Sequence, residues 1–233
     1  MIISNTHKYI FVHIHKTAGT AISRALDPHL TWNDVLLGST DYGEAIQPHY
    51  KKRFGLNKHS SAAEIRAVVG EETWNSYYRF SSVRHPVTRI ESLYAYLGTH
   101  YERRSKKKLF GLIPIRPKHM PPWSWREMQI FRETSSISAF LRHPDFFTTD
   151  GAKPQVDKLC DASGALMVHD VIKLEELAVK FPAVAARLGV PEATLGHANR
   201  SKEKNRAKAV LSLADRELVR EVYRRDYEMF GYD

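Results

Sequence analysis

The stretch Tyr9–Thr20, YIFVHIHKTAGT, decides the fold. Tyr9 to Ile14 is a β-branched and aromatic run of strand length. From Ala18 onward the apolar residues recur at helical spacing (Ala18, Ile22, Ala25, Leu26) until Asp27-Pro28 stops them. A turn from a strand into a helix gathers unpaired backbone N–H groups at the positive end of the helix dipole. Gly19 lets the backbone approach an anion closely. Thr17 and Thr20 add hydroxyl donors, Lys16 adds charge, and Ala18 sits between them. This is phosphate-binding chemistry. It departs from the G-x-x-x-x-G-K-[ST] loop of nucleoside triphosphatases, because the lysine precedes the glycine and the first glycine is absent. Taken alone, the loop is also consistent with an ordinary helix start and a solvated lysine.

The same geometry recurs downstream. Tyr77–Val83 (YYRFSSV) reads as a second strand, Arg84-His85-Pro86 ends it, and Pro86 suits the first position of a helix. That helix is expected to run to about Gly98, with Val87, Ile90, Leu93, Tyr94 and Leu97 as its apolar stripe and Arg89, Ser92 and Tyr96 opposite. Arg84 at a strand end and Ser92 two turns on could clamp a second phosphate. A surface ion pair and an exposed serine are the plainer readings.

The rest of the chain is read more coarsely. Residues 29–57 are expected to be irregular. Ser61-Ala-Ala-Glu64 has capping-box spacing and opens a helix. Helices are expected over Trp125–Leu141, over Glu175–Leu188 with a break at Pro182, and over Ser212–Phe230. Leu166–Lys173 reads as a third strand. Alternating strands and helices over a chain of 233 residues predict one α/β domain, 1–233, in three layers: a central parallel sheet with helices on both faces.

Composition bounds the function. Hydrophobic residues make up 42% and charged residues 26%, which is ordinary for a globular domain. Cys160 is the only cysteine, which suits a reducing compartment and excludes an internal disulfide. No stretch approaches a membrane span, and MIISNTHKYIFVHI carries no signal-peptide pattern, so a cytoplasmic location is expected. The formal charge of +9 favours an anionic partner. Between Tyr101 and His119, seven Lys/Arg face Glu102 alone, a net +6. This segment, 102–118, could contact an acidic glycan or the anionic heads of a membrane surface; it reads equally as a solvated loop. Trp123 and Trp125, just beyond it, could stack a sugar ring or be core.

Lys-Thr-Ala-Gly-Thr after the first strand, Val-Arg-His-Pro-x-x-Arg-x-x-Ser after the second, and a C-terminal Tyr-x-x-Asp-x-x-x-Phe-Gly-Tyr (Tyr223, Asp226, Phe230, Gly231, Tyr232) together resemble the carbohydrate sulfotransferases. Within them the pattern is most similar to heparan sulfate 2-O-sulfotransferases and their bacterial relatives. The likeness runs from about Tyr9 to Asp233. It implies a P-loop-NTPase-like sulfotransferase fold and 3′-phosphoadenosine 5′-phosphosulfate (PAPS) as donor, leaving adenosine 3′,5′-bisphosphate (PAP), with no metal. It places the 5′-phosphosulfate on residues 16–20 and the 3′-phosphate on Arg84 and Ser92. A late basic loop, residues 199–206 with Arg200 and Ser201, would cover the nucleotide, although a solvated charged loop reads as well. Gln155 matches a glutamine that precedes the third strand in this branch, with no role assigned.

Sulfuryl transfer to a hydroxyl needs a general base, and histidine suits that task near neutral pH. His59, just ahead of the capped helix, matches the position of the family's catalytic histidine. His13 alternates with Val12 and Ile14 on the buried strand and reads as structural, whereas His15 could line the cofactor site. The acceptor implied is a hydroxyl of a carbohydrate, a glycolipid or another alcohol. A kinase and a basic nucleic-acid-binding module are the alternatives. The first lacks a proper triphosphate loop, and the second has its charge in one loop without a recognisable binding motif.

Overall fold

The structure is a computed structural model that describes residues 1–106, 108–109, 113–114, 124–196, 207 and 209–233. The chain forms two compact units. The first comprises Met1–His85, Pro154–Ala198 and Arg225–Asp233, and the second Pro86–Lys153 and Asn199–Arg224.

The first unit is built on a five-stranded sheet: β1 (Ile2–Ser4), β2 (Tyr9–Val12), β3 (Val35–Leu36), β4 (Tyr78–Val83) and β7 (Asp170–Lys173), in the order β3-β1-β2-β4-β7. β2, β4 and β7 run parallel, with Tyr9 opposite Tyr78 and Phe80 opposite Asp170. β1 pairs antiparallel with both β2 and β3. The expected parallel sheet is therefore corrected to a mixed one. β1 returns through a tight turn to β2, and a connection that short permits only antiparallel pairing.

Alternation along the strands divides the core between the two faces of the sheet. Ile10 and Val12 join Ile65, Trp74, Val156 and Leu159 on one face. There lie α3 (Ala62–Val69), α4 (Glu71–Ser76) and α8 (Val156–Leu159). Tyr9, Phe11, Phe80 and Ile172 join Ile22, Leu26, Phe181 and Ala185 on the other. There lie α1 (Gly19–Leu26) and α9 (Leu177–Arg187). Each fully buried Phe or Ile contributes about 1.5–3 kcal/mol, so this two-sided burial, not local propensity, holds the short strands.

Two elements of this unit depart from expectation. Residues 41–54, read as irregular, form α2 (Asp41–Phe54) despite Gly43 and Pro48. Thr40 caps it through its hydroxyl (3.1 Å from the Gly43 N–H). A Cβ at Gly43 would lie 2.4 Å from the Gly38 carbonyl, so the glycine lets the helix seat against the preceding chain. α9 passes through Pro182 without the expected break. The unit closes with most of α11 (Arg224–Phe230).

The second unit contains α5 (Pro86–Lys106), the antiparallel pair β5 (Lys108–Leu109) and β6 (Ile113–Pro114), α6 (Arg126–Glu133), α7 (Ile137–Leu141) and α10 (Leu213–Val222). Its core combines aliphatic side chains such as Ile90, Leu97, Ile130 and Leu141 with an aromatic group in which Tyr94 packs on Phe131 and Phe140, and Phe140 on Phe146. α5 runs well beyond Gly98. The single helix expected over 125–141 is two, because Ser136 caps a new one through the Ala139 N–H. The last helix also breaks, at Tyr223.

Among the described residues no helix is long and apolar enough to cross a membrane.

Candidate active site

The loop after β2 is shaped by unusual backbone. Lys16 and Ala18 both adopt left-handed conformations, with φ of 66° and 65°. Non-glycine residues rarely do so, and the strain, about 1–3 kcal/mol each, concentrates at ligand-binding turns. Ala18 is the N-cap of α1, and no side chain caps the helix's first turn. A helix N-terminus without a side-chain cap has the chemistry to accept an anion.

His13 and Gly19 fix the loop from below. A Cβ on Gly19 would lie 2.2 Å from Cδ2 and 2.4 Å from Nε2 of His13. The His13 ring is buried, and its Nδ1 has no hydrogen-bond partner among the described residues. His13 is a packing element, as its alternation on the strand implied. Gly19→Ala should therefore overpack the loop by about 1–3 kcal/mol and lower the melting temperature measured by calorimetry. An unchanged melting temperature would mean that the ring does not support the loop.

Thr17 faces inward. It is fully buried, and its hydroxyl donates to the Ile14 carbonyl (3.1 Å) and lies 3.1 Å from the Ser82 hydroxyl on β4. Its side chain ties the loop to the neighbouring strand. Thr20 and Ala18 are half-buried at the mouth of the loop.

Arg84 follows the last residue of β4, and its Nη1 is 3.5 Å from the Lys16 carbonyl. The two corners therefore meet on one side of the first unit. Their charges also interact. Burial, then the charges of Arg84 and Lys58, push the Lys16 amine down to about 7. An approaching phosphate would restore its proton.

His59 completes the group. Its Nδ1 lies 2.8 Å from the His13 carbonyl, its ring stacks on His15 at 3.4 Å between centroids, and it meets His13 edge-on. A carbonyl can only accept, so Nδ1 carries the hydrogen and Nε2 keeps its lone pair. Burial, then His15, His13 and Lys58, hold the imidazole well below its ordinary value, hence neutral. The backbone is pinned as well. The His59 N–H donates to Asn57 Oδ1 (2.8 Å), and its carbonyl accepts from Lys158 Nζ (2.9 Å). The reciprocal Ser61–Glu64 capping box then fixes where α3 begins.

The supports of His59 and Lys58 carry no local sequence signal. Gln47 on α2 accepts from the Lys58 N–H (2.8 Å), and Glu44 pairs with the Lys58 ammonium (3.6 Å). Both act from a helix whose glycine and proline disguised it. Gln155 and Asp226, quoted above only as pattern residues, act in series: Gln155 hydrogen-bonds the backbone of Arg84, and Asp226 holds Gln155.

The other expected site residues belong to the second unit or lie outside the described residues. Ser92 lies half-buried on α5, in the second unit. Its helix neighbour Arg89, expected on the polar side, is 1% exposed. Arg89 donates to the carbonyls of Gly151 (3.0 Å) and Lys153 (2.9 Å) and faces the Tyr223 ring, so it is structural. Arg200 and Ser201, with the rest of 199–206, lie outside the described residues, as do Trp123 and most of the basic segment 102–118. Trp125 is exposed.

No curated protein and no solved structure matches the chain. A family model described as "Sulfotransferase family" matches residues 1–233, the full length quoted above. This does not favour the kinase and nucleic-acid readings, and the chain belongs to the sulfotransferase family.

Proposed function

We propose that the protein transfers a sulfuryl group from PAPS to a hydroxyl of a carbohydrate-type acceptor, with His59 as general base. The observation that carries this reading is the geometry at the carboxyl ends of β2 and β4, where Arg84 reaches the Lys16 carbonyl and the neutral His59 stacks on His15, next to Lys16 in the chain. Ligands of open α/β sheets bind at such ends.

In this reading the N–H groups of residues 17–20 and the Lys16 ammonium hold the 5′-phosphosulfate. Arg84 holds the 3′-phosphate, and Ser92 is added to it by resemblance alone. The donor supplies a sulfuryl group whose sulfur–oxygen bond to the 5′-phosphate is the one that breaks. His59 Nε2 accepts the proton of the attacking hydroxyl as the new sulfur–oxygen bond forms. His13 keeps the imidazole in the required tautomer by accepting from Nδ1. Lys16 opposes the charge that grows on the leaving phosphate, where fixed donors act most strongly. Acid–base and electrostatic groups of the chain suffice for these roles, so we propose no metal.

The branch akin to heparan sulfate 2-O-sulfotransferases and the P-loop-NTPase-like architecture are part of the proposal. So is a cytoplasmic location, supported by the lone buried Cys160. Segment 102–118 is a candidate contact for an acidic acceptor or an anionic surface.

Incubation with sulfur-labelled PAPS and a panel of oligosaccharides, glycolipids and simple alcohols tests the reading. Label should pass to at least one hydroxyl acceptor, with PAP released in equal amount. Transfer that survives loss of the His59 imidazole would overturn the assigned base.

A further inference from the structure

β4 runs out of partners just where its side chain matters. Its ladder with β2 ends at Ser81, and its ladder with β7 ends at Val83 opposite Lys173. Arg84 is the next residue, so neither strand pairs its peptide groups. Gln155 takes the place of the missing strand. The Arg84 N–H donates to Gln155 Oε1 (2.9 Å), and Gln155 Nε2 donates to the Arg84 carbonyl (2.9 Å).

The amide cannot turn around. Gln155 Nε2 also donates to Asp226 Oδ2 (3.1 Å), and a carboxylate there can only accept, so Oε1 must face the Arg84 N–H. Asp226 in turn accepts from the backbone N–H groups of Gln155 (3.0 Å) and Val156 (2.9 Å). Both side chains are fully buried. Buried polar groups this fully matched define a single arrangement, and losing one member leaves the others unpaired at high cost. The C-terminal Tyr-x-x-Asp signature thus reaches Arg84 through one glutamine.

We propose that Gln155 and Asp226 are positioning residues that aim Arg84, and thereby set the enzyme's preference for nucleotides bearing a 3′-phosphate. This rests on the reading of Arg84 as the 3′-phosphate ligand. Gln155 touches the backbone of Arg84, and a small rotation of that backbone is magnified at the end of the long side chain. Misplacing a binding group by about 1 Å can cost on the order of 10²-fold.

The test is the ratio of affinities for PAP and adenosine 5′-monophosphate, measured by calorimetric titration. It is taken for the wild type, Arg84→Ala, Gln155→Met and Gln155→Glu. Gln155→Met removes every side-chain hydrogen bond. Gln155→Glu keeps the size and the acceptor for the Arg84 N–H but loses the donor to its carbonyl and sets a second carboxyl against Asp226, and either folded variant suffices. Both should bind the monophosphate as the wild type does, while the preference for PAP falls about tenfold or more. KM for the donor should rise further than kcat falls. A merely structural role would weaken both nucleotides alike and leave the ratio unchanged. If Arg84→Ala loses the preference and the Gln155 variants retain it, the positioning role is wrong and the Arg84 assignment stands. If the wild type has no preference, or Arg84→Ala keeps it, the Arg84 assignment falls and this inference with it.

Discussion

His59→Ala is expected to lower the rate of sulfuryl transfer by about 10²–10⁴-fold, the usual worth of a positioned general base, while PAP binds as tightly as to the wild type. The expectation follows from where the imidazole is tied. Its Nδ1 is committed to the His13 carbonyl, so only Nε2 can take a proton. Its neutral state is set by burial and by the neighbouring histidines and Lys58. None of these contacts involves the backbone of residues 16–20, so removing the ring leaves the anion loop intact. Added imidazole should recover part of the lost rate, since the cavity left by the ring stays walled by His15 and His13. Single-turnover measurements with preloaded donor separate this effect from binding. A variant with full activity would reassign the base, and His15, stacked on the same ring, would be the next residue to replace.

Lys16→Met should cost about 10²–10³-fold in turnover, the typical loss for one donor that meets charge developing in the transition state. It should also erase a pH dependence. The Lys16 amine lies at about 7 in the free protein, with burial as the first cause and Arg84 and Lys58 behind it. Above that pH an arriving phosphate must restore the proton. PAP affinity should therefore fall by up to about tenfold per pH unit above 7 in the wild type, and stay flat in Lys16→Met. The sign for stability runs the other way. Between about 7 and the ordinary lysine value of 10.5, the unfolded chain holds a proton that the folded chain lacks. The free protein thus gains stability as pH rises through that window. Calorimetric titrations across this range read both effects. A PAP affinity independent of pH in the wild type would show that the amine is not beside the bound phosphate.

The two corners were legible because each combines a short apolar run with a turn whose residue types have one obvious use. Lys16, Gly19 and Arg84 announce themselves in that way, and Ser61-Ala-Ala-Glu64 located the helix start beside His59. What stayed hidden acts at a distance in sequence. Gln155 and Asp226 lie 71 positions apart and meet through a carboxylate that accepts from three donors. No local pattern encodes that. α2 was hidden by Gly43 and Pro48, because propensity penalises both while a tight seat against Gly38 rewards the first. Arg89 looked solvated on the helical wheel, yet carbonyl acceptors and the Tyr223 ring bury it. Periodicity sorts side chains by polarity and misses a charge that finds partners inside. The antiparallel edge of the sheet was missed for a similar reason: β1 is three residues long and is held by its pairing with β2 on one side and β3 on the other.

The central claim is that two neighbouring strand-to-helix corners grip the two phosphate ends of a single nucleotide. It is tested most directly by calorimetric titration of the unaltered protein with PAP and, in parallel, with adenosine 5′-monophosphate. The account predicts that PAP binds at one site per chain and at least tenfold more tightly, because only PAP reaches both Lys16 and Arg84. Equal affinity for the two nucleotides, or no binding of PAP, would contradict it.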